Sequence, residues 1–319
     1  MDRTVHRLHK PEPRTLIEPK DPAIASTASD ISAPIALIDE ELARHIDAAG
    51  LGGDLSVGLH EAMRYAVLGG GKRFRPLLVW HACATVGGDP NLCLPAAAAI
   101  EYIHAFSLVH DDLPAMDDDD LRRGKPTLHI HTSEAMAILA GDALLNLAFA
   151  ATTRVNIDPS LTVRLVQELT TGCAGMISGQ IYDSLPDADP AIDDRERLER
   201  IHRNKTGALI RASCRIGAIC GGASDESLAA LTTYADDIGL MFQAVDDLLD
   251  VEQATEHAGK RTGKDAEAGK LTYPGLLGVE GTKAEIERLR TEAVATVESL
   301  GPKSAPLVTI ANLIATRDR

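Results

Sequence analysis

From Ile35 to the C-terminus, apolar residues recur at spacings of three and four, the pattern of helices that bury one face. Breaks rich in Gly, Pro and Asn fall at Gly50–Gly53, Gly69–Gly71, Gly87–Pro90, Pro114, Gly124–Pro126, Asn156–Pro159, Pro186–Pro190, Gly221–Gly222, Gly259–Gly269 and Gly301–Pro302. The stretches between them are mostly about 12 to 30 residues long with little β-branched alternation, so the pattern predicts about ten helices and no credible sheet. No break has the length or low complexity of a linker. The expectation is an all-α chain with a single body over residues 35–319. The first 34 residues differ: five prolines, mixed charge and no sustained apolar period predict a disordered N-terminal extension. That extension lacks the apolar segment of a secretory signal, and Asp2, Glu12, Glu18 and Asp21 count against a transit peptide.

Composition narrows the classes. With 47 acidic and 32 basic side chains the net charge is −15. That disfavours a general nucleic-acid binder, because phosphate affinity comes from Lys and Arg. A mean hydropathy of −0.05 and the lack of an unbroken apolar run of about 20 residues count against a membrane span. The most apolar stretch, Ala135 to Ala151, is interrupted by Asp142 and Asn146 and reads as a buried helix. The five cysteines form no CxxC pair and read as buried thiols of a reducing compartment, so the expected location is cytoplasmic.

The acidity is unevenly spread. One cluster, Asp111-Asp112-Leu113-Pro114-Ala115-Met116-Asp117-Asp118-Asp119-Asp120, follows the apolar run Ala105–Val109, and a second is Asp246-Asp247-Leu248-Leu249-Asp250. Adjacent carboxylates repel by roughly 4 kcal/mol at an effective dielectric near 20. Such clusters either bind a cation or form a solvated face. Asp246 and Asp250, at i and i+4, share one helix face and could chelate a hard cation; an all-oxygen set favours Mg²⁺ over zinc. Asp111 and Asp117 stand roughly 240° apart on an ideal helix, so they can meet only if the helix ends between them. Pro114 is placed to end it. Neither cluster has the Gly and Glu spacing of an EF-hand. The run Gly69-Gly70-Gly71-Lys72 is followed by Arg73 rather than Ser or Thr, which argues against a Walker-type loop.

These residues resemble the trans-prenyl diphosphate synthase family, in the form of its bacterial farnesyl diphosphate synthases (geranyltranstransferases). Glu101-Tyr102-Ile103-His104-Ala105-Phe106-Ser107-Leu108-Val109-His110 leading into DDLPAMDDDDLRRGKPT is similar to the family's first aspartate-rich region, and GLMFQAVDDLLDV to its second. Gly70-Gly71-Lys72-Arg73-Phe74-Arg75-Pro76, HRNKTGALIRA and GKLTYPGLLG are similar to its other motifs, in order from about residue 35 to the end. The resemblance implies an isoprenoid synthase type I fold, about ten helices around a central cleft, usually a homodimer. It implies condensation of isopentenyl diphosphate with dimethylallyl or geranyl diphosphate, giving (2E,6E)-farnesyl diphosphate and diphosphate.

The same resemblance assigns residues. Asp111, Asp117, Asp246 and Asp250 would hold about three Mg²⁺ ions on the leaving diphosphate, an arrangement in which fixed cations stabilise developing charge. Asp112 and Asp247 would support them within the catalytic set. Arg122, Lys205, Gln243, Lys260 and Lys270 would grip the allylic diphosphate. Thr206, also in that allylic set, and the carbonyl of Lys205 would face the developing carbocation. Lys72, Arg75, His104 and Arg123 would form a metal-free pocket for isopentenyl diphosphate, where arginine's planar fork suits phosphate oxygens. No side chain stands out as the final base; the released diphosphate is the expected proton acceptor. Phe106, five residues and about 7.5 Å before Asp111, would cap the product pocket together with Ser107, which goes with a C15 product. A geranylgeranyl diphosphate synthase, making the C20 product, is the alternative. A non-catalytic subunit of the same fold would be expected to have broken motifs, and 3% aromatics disfavours a terpene cyclase. Without the nine motif aspartates, 38 acids face 32 bases. The acidity therefore suits an anionic ligand that arrives with its metal.

Overall fold

The computed structural model describes residues 30–50, 56–185, 192–256 and 271–317. It is helical nearly throughout, as the periodicity predicts. The helices are α1 (Ile35–Gly50), α2 (Val57–Leu68), α3 (Phe74–Thr85), α4 (Leu94–Asp111), the short α5 (Leu128–His131), α6 (Glu134–Thr152), α7 (Pro159–Ser184), α8 (Asp194–His202), α9 (Ala208–Cys220), α10 (Asp225–Glu256), α11 (Tyr273–Glu298) and α12 (Ala305–Thr316). Side chains at the sequence breaks start several of them: Ser56, Ser133, Asp158, Asp193 and Thr272 each accept a hydrogen bond from a first-turn amide.

Two helices form the centre. In α4 the run from Ala96 to Ile103 is wholly buried, the state of a helix that is apolar on every side. In α9 every residue is buried except Arg211 and Arg215, and those two pair with Asp236 and Glu168. One apolar cluster runs from Ile31 to Ile314, and a smaller one joins Val109 and Leu113 to Leu128, Ala137 and Ala140 below the first acidic turn. The five cysteines are buried thiols, as expected.

The all-α expectation holds, with three local departures. The body begins ahead of residue 35: Ile31 is 2% exposed in the core, and its carbonyl oxygen lies 3.0 Å from His81 Nε2. Residues 1–29 lie outside the described residues. A sheet was not expected, yet a two-residue hairpin pairs β1 (Leu121–Arg122) with β2 (Lys125–Pro126). Its turn residues Arg123 and Gly124 both have positive φ, 54° and 74°, as a type I′ turn demands. Finally, α6 is only part-buried: Leu139 is 57% exposed. By length and composition alone, Pro90–Asp111 and Glu134–Thr152 could each cross a membrane, but 67% of the first is buried inside the protein.

Candidate active site

The first acidic cluster is a turn. Helix α4 ends at Asp111 and the chain doubles back, so that the Asp117 amide donates to the Asp111 carbonyl at 2.8 Å. Pro114 explains the stop: continued helix would drive its ring into the carbonyl of residue 110. Asp117 stays exposed while Asp111 is half-buried. Burial pushes the Asp111 carboxyl up to about 6, with Asp117 and Asp112 adding to the shift and Lys205 and Arg122 opposing it. Asp112 is different. It is buried and bound by Arg122 at 2.6 Å, so it positions that arginine rather than facing the cleft.

The second cluster lies on α10. Asp246 and Asp250 are half-buried, whereas Asp247 is buried and accepts the Tyr273 amide at 2.9 Å, fixing the start of α11. Asp246 is held above the usual carboxylate range by burial, with Arg317, Lys72 and Arg75 opposing. It therefore faces the loop that precedes α3.

Lys205 and Thr206 sit on a π-helical segment, Arg203–Gly207. Helix α7 packs directly on this turn: a Cβ at Gly179 would overlap the Lys205 amide and stand 2.6 Å from the Asn204 carbonyl carbon. Lys205 Nζ lies 2.6 Å from Asp183 on α7, and Thr206 donates to Gln243 Oε1 on α10 at 2.7 Å. Thr206 and Gln243, both assigned to the allylic substrate from sequence, are thus joined by a hydrogen bond.

The basic residues converge as well. The His104 imidazole is held well below its ordinary value by burial and then by Arg75, Arg123, Arg122 and Arg73. Arg75 is pushed down to about 10 by burial, with Glu101 opposing and Arg123 adding. Its Nε is buried with no hydrogen-bond partner. An anion is the ligand such a group lacks. Arg123 reaches the glycine loop before Lys72, where a Cβ at Gly71 would meet its Nη1 at 2.5 Å. Arg73, between Lys72 and Arg75, is structural: it is 2% exposed and binds Asp39, Glu101 and the Val67 carbonyl.

Among the described residues no three Asp, Glu, His or Cys side chains converge on one point. Mg²⁺ typically takes one or two carboxylates and fills its octahedron with water and substrate phosphate oxygens. The carboxylates proposed for a metal, Asp111, Asp117, Asp246 and Asp250, are an all-oxygen donor set. Lys260 and Lys270 lie outside the described residues. Phe106 is buried with its ring edge-on to His110, while the Ser107 hydroxyl donates to its own helix at the His104 carbonyl.

Sequence reasoning missed four groups. Glu101 and Asp183 hold Arg73 and Lys205. Gln180 has both side-chain polar atoms buried without a partner, one turn from Asp183. Arg317 binds Asp246. The one signal for Gln180 and Asp183 was a polar pair at i and i+3 in an otherwise apolar stretch; for Arg317 there was none.

Comparison with known proteins fits this geometry. The polyprenyl synthetase family model matches residues 57–300. A protein of Arabidopsis thaliana named geranylgeranyl pyrophosphate synthase 11, chloroplastic, is 49% identical over 266 residues, 81% of this chain and 74% of the relative. The chloroplastic geranylgeranyl pyrophosphate synthase of Catharanthus roseus is 47% identical over 267 residues, 82% and 74% of the two chains. The crystal structure of an FPP/GFPP synthase from Zymomonas mobilis superimposes with a TM-score of 0.79 at 35% identity, covering 92% of this chain and 100% of that one. The plant relatives are named for C20 products and for the chloroplast, so the expected C15 product and cytoplasmic location gain no support from them. The structural neighbour carries the same all-α isoprenoid synthase architecture, and magnesium dependence is a property of the family. The chain belongs to the polyprenyl synthetase family and is an enzyme of prenyl transfer.

Proposed function

We propose that this enzyme adds isopentenyl diphosphate to allylic diphosphates and releases geranylgeranyl diphosphate, the C20 product. The observation that carries the condensation is the basic pocket of Arg75, His104 and Arg123 beside the second acidic cluster. The C20 length rests on the 49% identity to a geranylgeranyl pyrophosphate synthase. Phe106 favours a second reading, the C15 product, because a buried ring at that place would stop the growing chain.

Mg²⁺, held by Asp111, Asp117, Asp246 and Asp250, would supply positive charge to the departing diphosphate. Lys205, steered by Asp183, and Arg122, steered by Asp112, bind the same diphosphate with Gln243; Lys260 and Lys270 belong to this set by motif. The allylic C–O bond breaks, its electron pair leaving with diphosphate. The Lys205 carbonyl and Thr206 hydroxyl, aimed by the π turn, present partial negative charge to the cation. Lys72, Arg75, His104 and Arg123 hold isopentenyl diphosphate intact while its double bond attacks and the new C–C bond forms. The proton then lost passes to the released diphosphate. Exposed apolar residues on α6 and α7, among them Leu139, Ile177 and Ile181, support a homodimer through these helices. Sedimentation equilibrium tests that, with a monomer as the contrary result.

Labelled isopentenyl diphosphate with dimethylallyl, geranyl or farnesyl diphosphate and Mg²⁺ tests the reaction. C20 alcohols after dephosphorylation support the proposal. Arrest at C15 establishes the second reading, and no elongation overturns both.

A further inference from the structure

Phe106, which the prenyl-elongation reading places at the end of the product pocket, does not stand alone. Phe106 and His110 lie one turn apart on α4, ring centroids 5.6 Å apart and planes at 88°. His110 is fixed from another helix. Its Nε2 lies 3.1 Å from the Ile138 carbonyl oxygen on α6, which makes that nitrogen the protonated one. The imidazole lies against Gly141, one turn on. A Cβ built there would overlap Nε2, stand 2.5 Å from Cδ2 and 2.9 Å from Cε1. Three ring atoms at such distances mean that the imidazole fills the place of a side chain at 141. Any other residue must displace it, and Phe106 is the ring it already contacts.

We propose that Gly141 is a positioning residue for product length: it seats the His110 imidazole on α6 and thereby sets how far the Phe106 ring stands into the pocket of the growing chain. The inference rests on the prenyl-elongation reading and on Phe106 bounding that pocket, and it requires neither length in particular. It explains how a phenylalanine at this place is compatible with more than one product. The ring's depth depends on its support, and the support lies 31 residues away from His110 on another helix.

The test is the C15-to-C20 ratio at limiting isopentenyl diphosphate, a readout that simple loss of stability leaves unchanged. Gly141→Ala pushes the imidazole toward Phe106 and shortens products; His110→Ala lets the Phe106 ring settle into the vacated space and lengthens them. Each shift is expected to be about tenfold in the ratio, the low end of what a methyl-sized change in an apolar pocket gives. The double variant refills the space and returns toward the wild-type ratio. If both single variants keep the wild-type ratio while Phe106→Ala changes it, His110 and Gly141 serve packing alone and the proposal falls. Should Gly141→Ala not fold, His110→Ala decides alone on the same terms. A wild-type protein that elongates no starter contradicts the functional reading instead. The position of Phe106 in a crystal structure of His110→Ala then decides the present inference, an unmoved ring overturning it.

Discussion

Arg317 donates to the Asp246 carboxylate at 2.5 Å, with its guanidinium 3.8 Å above the Phe242 ring. The third-last residue of the chain thus occupies a carboxylate proposed for magnesium. A partly exposed ion pair is worth about 0–1 kcal/mol. Arg317→Ala should therefore lower the Mg²⁺ concentration for half-maximal activity by up to about fivefold. A magnesium titration of the variant checks this, and an increased requirement would show that Arg317 aids the site rather than competing for it.

Arg75 is expected to act on one substrate. Each hydrogen bond to a charged group contributes about 1.5–3 kcal/mol, so Arg75→Ala should raise the KM for isopentenyl diphosphate by about 10- to 100-fold. The KM for the allylic diphosphate should stay within about twofold. Steady-state kinetics with each substrate varied in turn separates the two. Equal rises in both constants would place Arg75 outside a dedicated pocket.

Arg73 is expected to act on stability. Its guanidinium is buried between Asp39 and Glu101, and removing one partner of a buried pair costs about 3–5 kcal/mol. Urea denaturation of Arg73→Ala should show a loss of that order. Full stability would mean that the pair is dispensable.

Arg73 and Arg75, two residues apart, show what sequence can and cannot tell. Lys72-Arg73-Phe74-Arg75 reads as one basic motif, yet Arg73 is tied into the core by two carboxylates while the buried Arg75 Nε meets no hydrogen-bond partner. The difference depends on Glu101 and Asp39, which are near Arg73 only after folding. By contrast, the end of the helix between Asp111 and Asp117 was legible, because Pro114 cannot continue it. That Asp246 and Asp250 lie on one continuous helix was legible from the apolar periodicity around them. The Thr206–Gln243 bond and the π turn at Lys205 depend on how α7 and α10 pack against that turn, which no local pattern encodes. The α6 surface misled because an apolar helix reads as buried whether it faces the core or a partner.

His202 gives the stability a pH dependence. It is 6% exposed, and burial pushes it down to about 4, with Asp183 opposing and Lys205 adding. The unfolded chain binds its proton near the usual value of about 6.5. Between those values the unfolded state carries more protons, so stability is full above about pH 6.5 and falls as pH drops toward 4. The slope is at most about 1.4 kcal/mol per pH unit from this residue. Comparing wild type with His202→Asn by urea denaturation at pH 5 and pH 7 should show a smaller difference in the variant.

The central claim is that the two acidic clusters act together on one departing diphosphate. The most direct test is the rate of diphosphate release from the allylic substrate, at saturating isopentenyl diphosphate and Mg²⁺, in Asp111→Asn, Asp246→Asn and the double variant. Each single variant should lose about 10²- to 10³-fold, the scale of removing one element of transition-state charge stabilisation. The double variant should lose far less than the product of the two, because residues acting as a unit are not additive. Either single variant releasing diphosphate within a few-fold of wild type would contradict the account.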